Sequence, residues 1–208
     1  MKIHIPLNKI LDSEPKIRIL RFLLKTNAEW NGRQIAKEVG ISPATAHKAL
    51  QGLNKEGVLI LRNIGKTHIY TLNNENFAVS KMLKPLFVSE DKILDYILGV
   101  IRYRVMGSEI KKSIVSIALF GSVNARQDHP ASDIDLIVII SDPKNKAQIE
   151  ILFEEIDKRV SREFGNTVSA YINTKEEFKE NYKKNLPVTL NIVKTHKFIY
   201  GLPLEKFL

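Results

Sequence analysis

The chain has 208 residues, 44% of them hydrophobic and 26% charged, a balance that fits one or two globular domains with real cores. It contains no cysteine, which excludes disulfides and thiolate metal sites, and its five histidines (His4, His47, His68, His129 and His196) lack metal-ligand spacing. The net charge of +9 is uneven: residues 1–80 hold 12 Lys+Arg against 6 Asp+Glu, the excess expected of a segment that meets an anionic polymer.

No apolar run reaches the ~20 residues of a membrane span. The first residues, "MKIHIPLNKI", show no apolar block with a cleavage site. A cytoplasmic protein without a membrane partner is expected.

The first predicted helix opens at Pro15, a residue suited to an initial helical turn, and ends at Asn27 and Ala28. Ile17, Leu20 and Leu24 recur along it at helical spacing, with Ile19 and Leu23 broadening the stripe. A second helix, "GRQIAKEVG", turns Ile35, Ala36 and Val39 inward and stops at Gly40. A third follows with Ser42 as N-cap and Pro43 at its first position, an inward stripe of Ala46, Leu50 and Leu53, and a stop at Gly57. Two strands, Leu59 to Arg62 and Thr67 to Leu72, then alternate around Asn63-Ile64-Gly65-Lys66, a hairpin carrying Arg62, Lys66 and His68.

Two helices joined by a tight turn and followed by a β-wing resemble the winged helix-turn-helix domain of bacterial and archaeal regulators, over residues 13–73. The resemblance implies that the third helix enters the major groove of double-stranded DNA while the wing touches the backbone. The outward residues of that helix start are Ser42, Pro43, Ala44, Thr45, His47, Lys48 and Gln51. Thr45, His47 and Gln51 suit base edges, and Lys48, Arg62 and Lys66 suit phosphates.

Residues 77–89 read as a linker broken by Pro85. Ser89, Glu90 and Asp91 then read as the cap and acidic first turn of a helix lined by Ile93, Ile97, Val100 and Ile101 and widened by Leu94, Leu98 and Val105. A homodimer contact along this helix is one expectation. Packing on the sheet of a second domain is the simpler one.

"SIVSIALFGS" predicts a buried strand ending at Gly121-Ser122, and "SDIDLIVII" a second one. Side chains alternate along a strand, so Asp133 and Asp135 share a face one pleat apart, and Ile134, Leu136 and Val138 share the other. The apolar run Leu136 to Ile140 implies burial on both faces. Two carboxylates held about 5–7 Å apart at a partly desolvated rim repel each other and favour a divalent cation. Glycine lets a backbone approach a ligand, and Ser122 and Arg126 add a hydroxyl and a positive charge suited to phosphate oxygens. These are the parts of phosphoryl or nucleotidyl transfer.

Gly121-Ser122, ten intervening residues, then Asp133-x-Asp135 resembles the signature of the DNA polymerase β-like nucleotidyltransferases, above all the minimal ones, over residues 90–201. The resemblance implies a mixed sheet flanked by helices, Mg²⁺ or Mn²⁺ on the catalytic pair Asp133 and Asp135, and a nucleoside triphosphate on Gly121, Ser122 and Arg126. Active members of the family carry a third carboxylate on a following strand. The corresponding strand here, "TVSAYINT", offers Ser169 and Tyr171 instead, leaving Glu176, Glu177, Asp157 and Glu163 as acids that would have to fold back. The charged stretch "KEEFKENYKKN" reads as a solvated helix face.

The expected fold class is α+β, with a winged helix-turn-helix domain at 1–76, a linker at 77–89 and a nucleotidyltransferase-like mixed α/β domain at 90–208. The expected function is a DNA-binding transcriptional regulator whose second domain holds Mg-NTP with weak or no catalysis. The alternative is an active enzyme moving NMP from an NTP to a protein, RNA or small-molecule hydroxyl, and work within a toxin–antitoxin pair is a further alternative.

Overall fold

A computed structural model describes residues 2–129 and 132–208, so Pro130 and Ala131, inside the spacing between the two motif halves, lie outside the described residues. The chain divides into two compact units, residues 1–92 and 93–208.

In the first unit, a short helix α1 (Leu7–Ile10), absent from the sequence reading, buries Ile10 in the core. Helix α2 (Glu14–Thr26) begins one residue before Pro15, which lies in its first turn, and ends on left-handed Asn27, whose backbone N–H donates to the Leu23 carbonyl. Next come strand β1 (Trp30–Asn31) and helix α3 (Gly32–Val39), where Asn31 and Gln34 satisfy each other's backbone N–H groups in a capping box. Helix α4 (Pro43–Lys55) opens on Ser42, whose hydroxyl accepts the Thr45 N–H. Strands β2 (Leu59–Ile64) and β3 (Thr67–Leu72) form the hairpin, turning at Gly65 with φ +59°. The two-residue β1 pairs with β3, making a three-stranded sheet in the order β1-β3-β2 that hydropathy alternation did not reveal.

The segment read as a linker is helical and belongs to the first unit. A π-helical turn at Ala78–Leu83 runs directly into helix α5 (Lys84–Asp91). Ala78, Val79, Leu83 and Phe87 join the same core as Leu20, Leu23, Leu50 and Leu53. Arg21 of α2 reaches Glu90 of α5 with two hydrogen bonds of 2.7 Å and lies 5.4 Å above the Phe87 ring. Pro85 therefore sits in the first turn of a helix rather than breaking one. Ser89, Glu90 and Asp91 form the last turn of α5, not the cap of its successor, because the core and Arg21 hold that turn in place.

The second unit begins with helix α6 (Ile93–Gly107). A 3-10 turn leads into strand β4 (Ile114–Phe120), which ends at the four-residue helix α7 (Gly121–Asn124). Strand β5 (Ile134–Ile140) is followed by the long helix α8 (Lys146–Phe164), strand β6 (Val168–Thr174), helices α9 (Lys175–Lys183) and α10 (Pro187–Thr195), and strand β7 (Lys197–Gly201). The sheet order is β6-β5-β4-β7, with β5 and β6 parallel and the other neighbours antiparallel.

Both faces of this sheet are covered, as the unbroken apolar run of β5 requires. Ile134, Leu136, Val138 and Ile140 pack with α6 and α8 residues such as Ile97, Ile101, Ile149 and Phe153. Ile137 and Ile139 pack with Phe178, Ile192, Leu204 and Phe207 on the opposite side. Phe178 anchors α9, and Glu176, Glu177, Lys179, Glu180 and Lys183 form the solvated face expected of "KEEFKENYKKN". None of the described helices is long and apolar enough to cross a membrane.

Candidate functional sites

On the first unit, Ser42, Pro43, Ala44, Thr45, His47, Lys48 and Gln51 are all exposed along the outer side of α4. Ala46, Ala49, Leu50 and Leu53 are buried beneath them. Arg62 and Lys66 are exposed on the wing, where Arg62 makes a 3.5 Å contact with Glu29. Ser42 and Thr45 also share a hydroxyl–hydroxyl hydrogen bond of 2.8 Å, so the Thr45 hydroxyl meets its own cap before any ligand.

A groove of about 480 Å³ runs between the start of α4 and the wing, lined by Arg33, Pro43, His47, Lys66, His68 and Tyr70 among others. Arg33 was not assigned to this surface from the sequence, and His68 was placed on the wing without a role. Arg33 is exposed on α3, one position after its N-terminal glycine, and a basic residue there is one signal that a helix pattern alone does not weigh. A second depression, of about 530 Å³, lies on the opposite side of α4 beside Lys16, Thr45, Lys48 and Gly52.

On the second unit, the strand register places Phe120 opposite Asp135, so the turn after β4 begins at the level of that carboxylate. Gly121 has φ +76°, a conformation that favours glycine. A β-carbon there would lie 3.0 Å from Asp135 Cγ and 3.2 Å from its Cβ, with Oδ2 closer still. The carboxylate thus occupies the space that any side chain at 121 would fill. Ser122 is the second residue of α7, and its carbonyl accepts the Gln127 N–H.

Asp133, one residue before β5, is exposed and accepts a hydrogen bond from the Thr167 hydroxyl, just ahead of β6. The Thr167 carbonyl accepts the Ile134 N–H at 2.8 Å, so the same residue secures both backbone and side chain at the start of β5. Burial pushes the Asp135 carboxyl above the usual carboxylate range, and the neighbouring negative charge of Asp133 pushes it further. The pair is therefore electrostatically coupled. Arg126 follows the α7 cap with φ +56°, and among the described residues it makes no hydrogen bond or ion pair to either aspartate.

The parallel pairing of β5 with β6 puts Ser169 beside Asp135 and Tyr171 beside Ile137, both exposed. Three of the four acids that would have had to fold back are engaged elsewhere. Asp157 accepts the Val168 N–H at 2.7 Å, Glu177 caps Thr174, and Glu163 pairs with Arg159 at 2.9 Å. Glu176 is exposed in the first turn of α9. Among the described residues no group of three His, Cys, Asp or Glu gathers as a metal cluster.

Comparison with known proteins assigns each unit separately. Residues 16–66 match a helix-turn-helix domain family, and residues 108–202 match the family described as polymerase beta, nucleotidyltransferase. No curated protein matches the chain. Among solved structures, HlyU from Vibrio cholerae is 24% identical over 40% of this chain and 86% of its own, with a TM-score of 0.35. The homodimeric winged helix-turn-helix DNA-binding domain Mb0332 from Mycobacterium bovis is 25% identical over 42% of this chain and 77% of its own, at 0.36. A toxin–antitoxin crystallised with AMP-PNP is 18% identical over 53% of this chain and 79% of its own, at 0.35. The chain joins an N-terminal winged helix-turn-helix domain to a nucleotidyltransferase domain of the polymerase beta family.

Proposed function

We propose that the protein is a DNA-binding regulator whose nucleotidyltransferase domain holds a metal–nucleoside triphosphate complex and transfers its nucleotide weakly or not at all. The observation that carries the nucleotide reading is the contact of Gly121 with Asp135. A left-handed glycine gives up its side-chain space to a carboxylate whose charge is disfavoured first by burial and then by Asp133. Both features fit a divalent cation, which would relieve the repulsion between the acids and neutralise triphosphate charge.

In this reading Asp133 and Asp135 hold Mg²⁺ or Mn²⁺, and Thr167 orients Asp133. Gly121 keeps the turn close enough for phosphate oxygens to reach backbone N–H groups and the Ser122 hydroxyl. Arg126, exposed two residues after α7, supplies positive charge once a triphosphate is present. Transfer also needs a group that takes the proton of the incoming hydroxyl. Ser169 occupies the strand position beside Asp135, and a serine hydroxyl is too weak a base for that task, which supports binding over turnover.

The DNA reading rests on the exposed, basic α4 face and wing. His47, Thr45 and Gln51 would meet base edges, and Arg33, Lys48, Arg62 and Lys66 would meet phosphates. Four such contacts predict a salt slope of about −3.6 in log K against log[salt].

Fluorescence anisotropy across a salt series tests the first half, and absence of binding at low salt to upstream and AT-rich duplexes refutes it. Calorimetry with each NTP, with and without Mg²⁺ or Mn²⁺, tests the second. Uptake that depends on metal and is lost in Asp133→Asn and Asp135→Asn is expected, and no uptake with any nucleotide refutes it. Labelled NTP supplied with cell lysate separates binding from catalysis, since robust label transfer would establish the enzyme instead.

A further inference from the structure

Helix α6 is apolar on two sides. One side, Leu94, Ile97, Leu98, Ile101 and Val105, belongs to the core. The other carries Ile93 at 46% exposure, Tyr96 at 54%, Tyr103 at 73% and Met106 at 57%, with half-buried Val100, which also packs against the core, between them. Single exposed apolar residues are ordinary, but a contiguous ridge of them on one helix calls for a cover.

Gly99 lies in the middle of this ridge. A β-carbon added there would meet nothing within 4 Å, and its φ is not in the left-handed region. No local turn or close contact within the described chain requires glycine, although glycine inside a helix is destabilising relative to alanine. A second backbone crossing at this point would use the absent side chain.

The ridge also reads the same in both directions. Ile93, Tyr96, Gly99, Val100, Tyr103 and Met106 are spaced by three, three, one, three and three residues. Turning the helix end for end about the point between Gly99 and Val100 places Ile93 on Met106 and Tyr96 on Tyr103. A two-fold contact brings one surface against itself, so it demands this kind of self-complementarity. Charges along one edge agree. Asp95 lies in the N-terminal half of α6 and exposed Arg102 two turns later on the same edge, so an antiparallel pair, in which like edges meet, sets opposite charges together. The present contact of Asp95 with Lys197, 3.3 Å long and at the surface, is weak enough to give way.

We propose that α6 docks on α6 of a second copy of this chain, antiparallel, with the two helices crossing at Gly99. This contact goes beyond the proposed function and needs neither DNA nor nucleotide, so its failure leaves that reading untouched.

Sedimentation equilibrium of the full chain, without DNA or nucleotide, tests it. The unmodified chain should form a dimer. Tyr96→Glu and Gly99→Glu should be monomers with unchanged circular dichroism. Asp95→Arg and Arg102→Asp should each weaken the dimer about tenfold or more, and the double swap should restore it. A monomeric parent overturns the proposal, as does a dimer that survives both glutamate substitutions. A double swap no tighter than either single overturns the antiparallel arrangement.

Discussion

Replacing Gly121 by alanine tests the geometry on which the nucleotide site depends. Three glycines of the second unit share a positive φ of similar size: Gly121 at +76°, Gly165 at +78° and Gly201 at +87°. They differ in what a methyl group would meet. At Gly165 there is open space, so Gly165→Ala reports the left-handed backbone cost alone, about 1–2 kcal/mol. At Gly201 the methyl would lie 2.8 Å from the Val115 carbonyl carbon, and backbone cannot move aside cheaply, so that variant should cost clearly more. At Gly121 it would meet the Asp135 carboxylate, whose Cγ lies 3.0 Å away. A side chain can rotate, so the expected loss falls between the other two, about 2–3 kcal/mol with the backbone cost included. The displaced carboxylate also leaves its place beside Asp133. Urea unfolding of the three variants, followed by thermal melts with and without Mg²⁺ and nucleotide, measures both effects. Gly121→Ala should lose ligand stabilisation while Gly165→Ala keeps it. If Gly121→Ala costs no more than Gly165→Ala, or still melts higher with Mg-nucleotide, the packing of this turn on Asp135 does not organise the site.

Arg21 holds the Glu90 carboxyl below its usual range, its hydrogen bonds outweighing the opposing effect of burial. A depressed carboxylate stabilises the fold above its unfolded pKa and loses that contribution as pH falls through the folded value. Glu90→Gln should therefore cost about 1 kcal/mol or less at neutral pH, given the pair's exposure, with the gap to the parent closing under acid in melts of the 1–92 region. Lys66→Ala should weaken DNA binding about equally across sequences and reduce the salt slope by about 0.9, whereas Gln51→Ala should instead relax sequence preference in the same anisotropy assay. Asp157→Asn leaves the Val168 N–H without its carboxylate, and a loss of about 1–2 kcal/mol in urea unfolding is expected with metal–nucleotide uptake retained, since Asp157 serves the start of β6 rather than the acid pair.

The features legible in the sequence are those that a few neighbouring residues decide. Ser42-Pro43 start α4 because a hydroxyl cap and a fixed φ act within one turn. The alternation along β5 assigns Ile134, Leu136 and Val138 to one layer and Ile137 and Ile139 to the other, because the pleat has period two whatever the strand meets.

Tertiary structure decided the rest, and in each case through partners distant along the chain. Residues 77–89 lack a strong local pattern, and only the groove offered by α2, with Arg21 and its core leucines, makes them a helix of the first unit. The two-residue β1 exists only because β3 offers it an edge. The neighbour of Asp135 on β6 is Ser169 because a parallel register is set by the packing of the α8 crossover, residues 141–167, whose fit no local rule can count out. Cap and pleat act over a turn or a single strand, while register and docking are settled by burial of surfaces that meet only after folding.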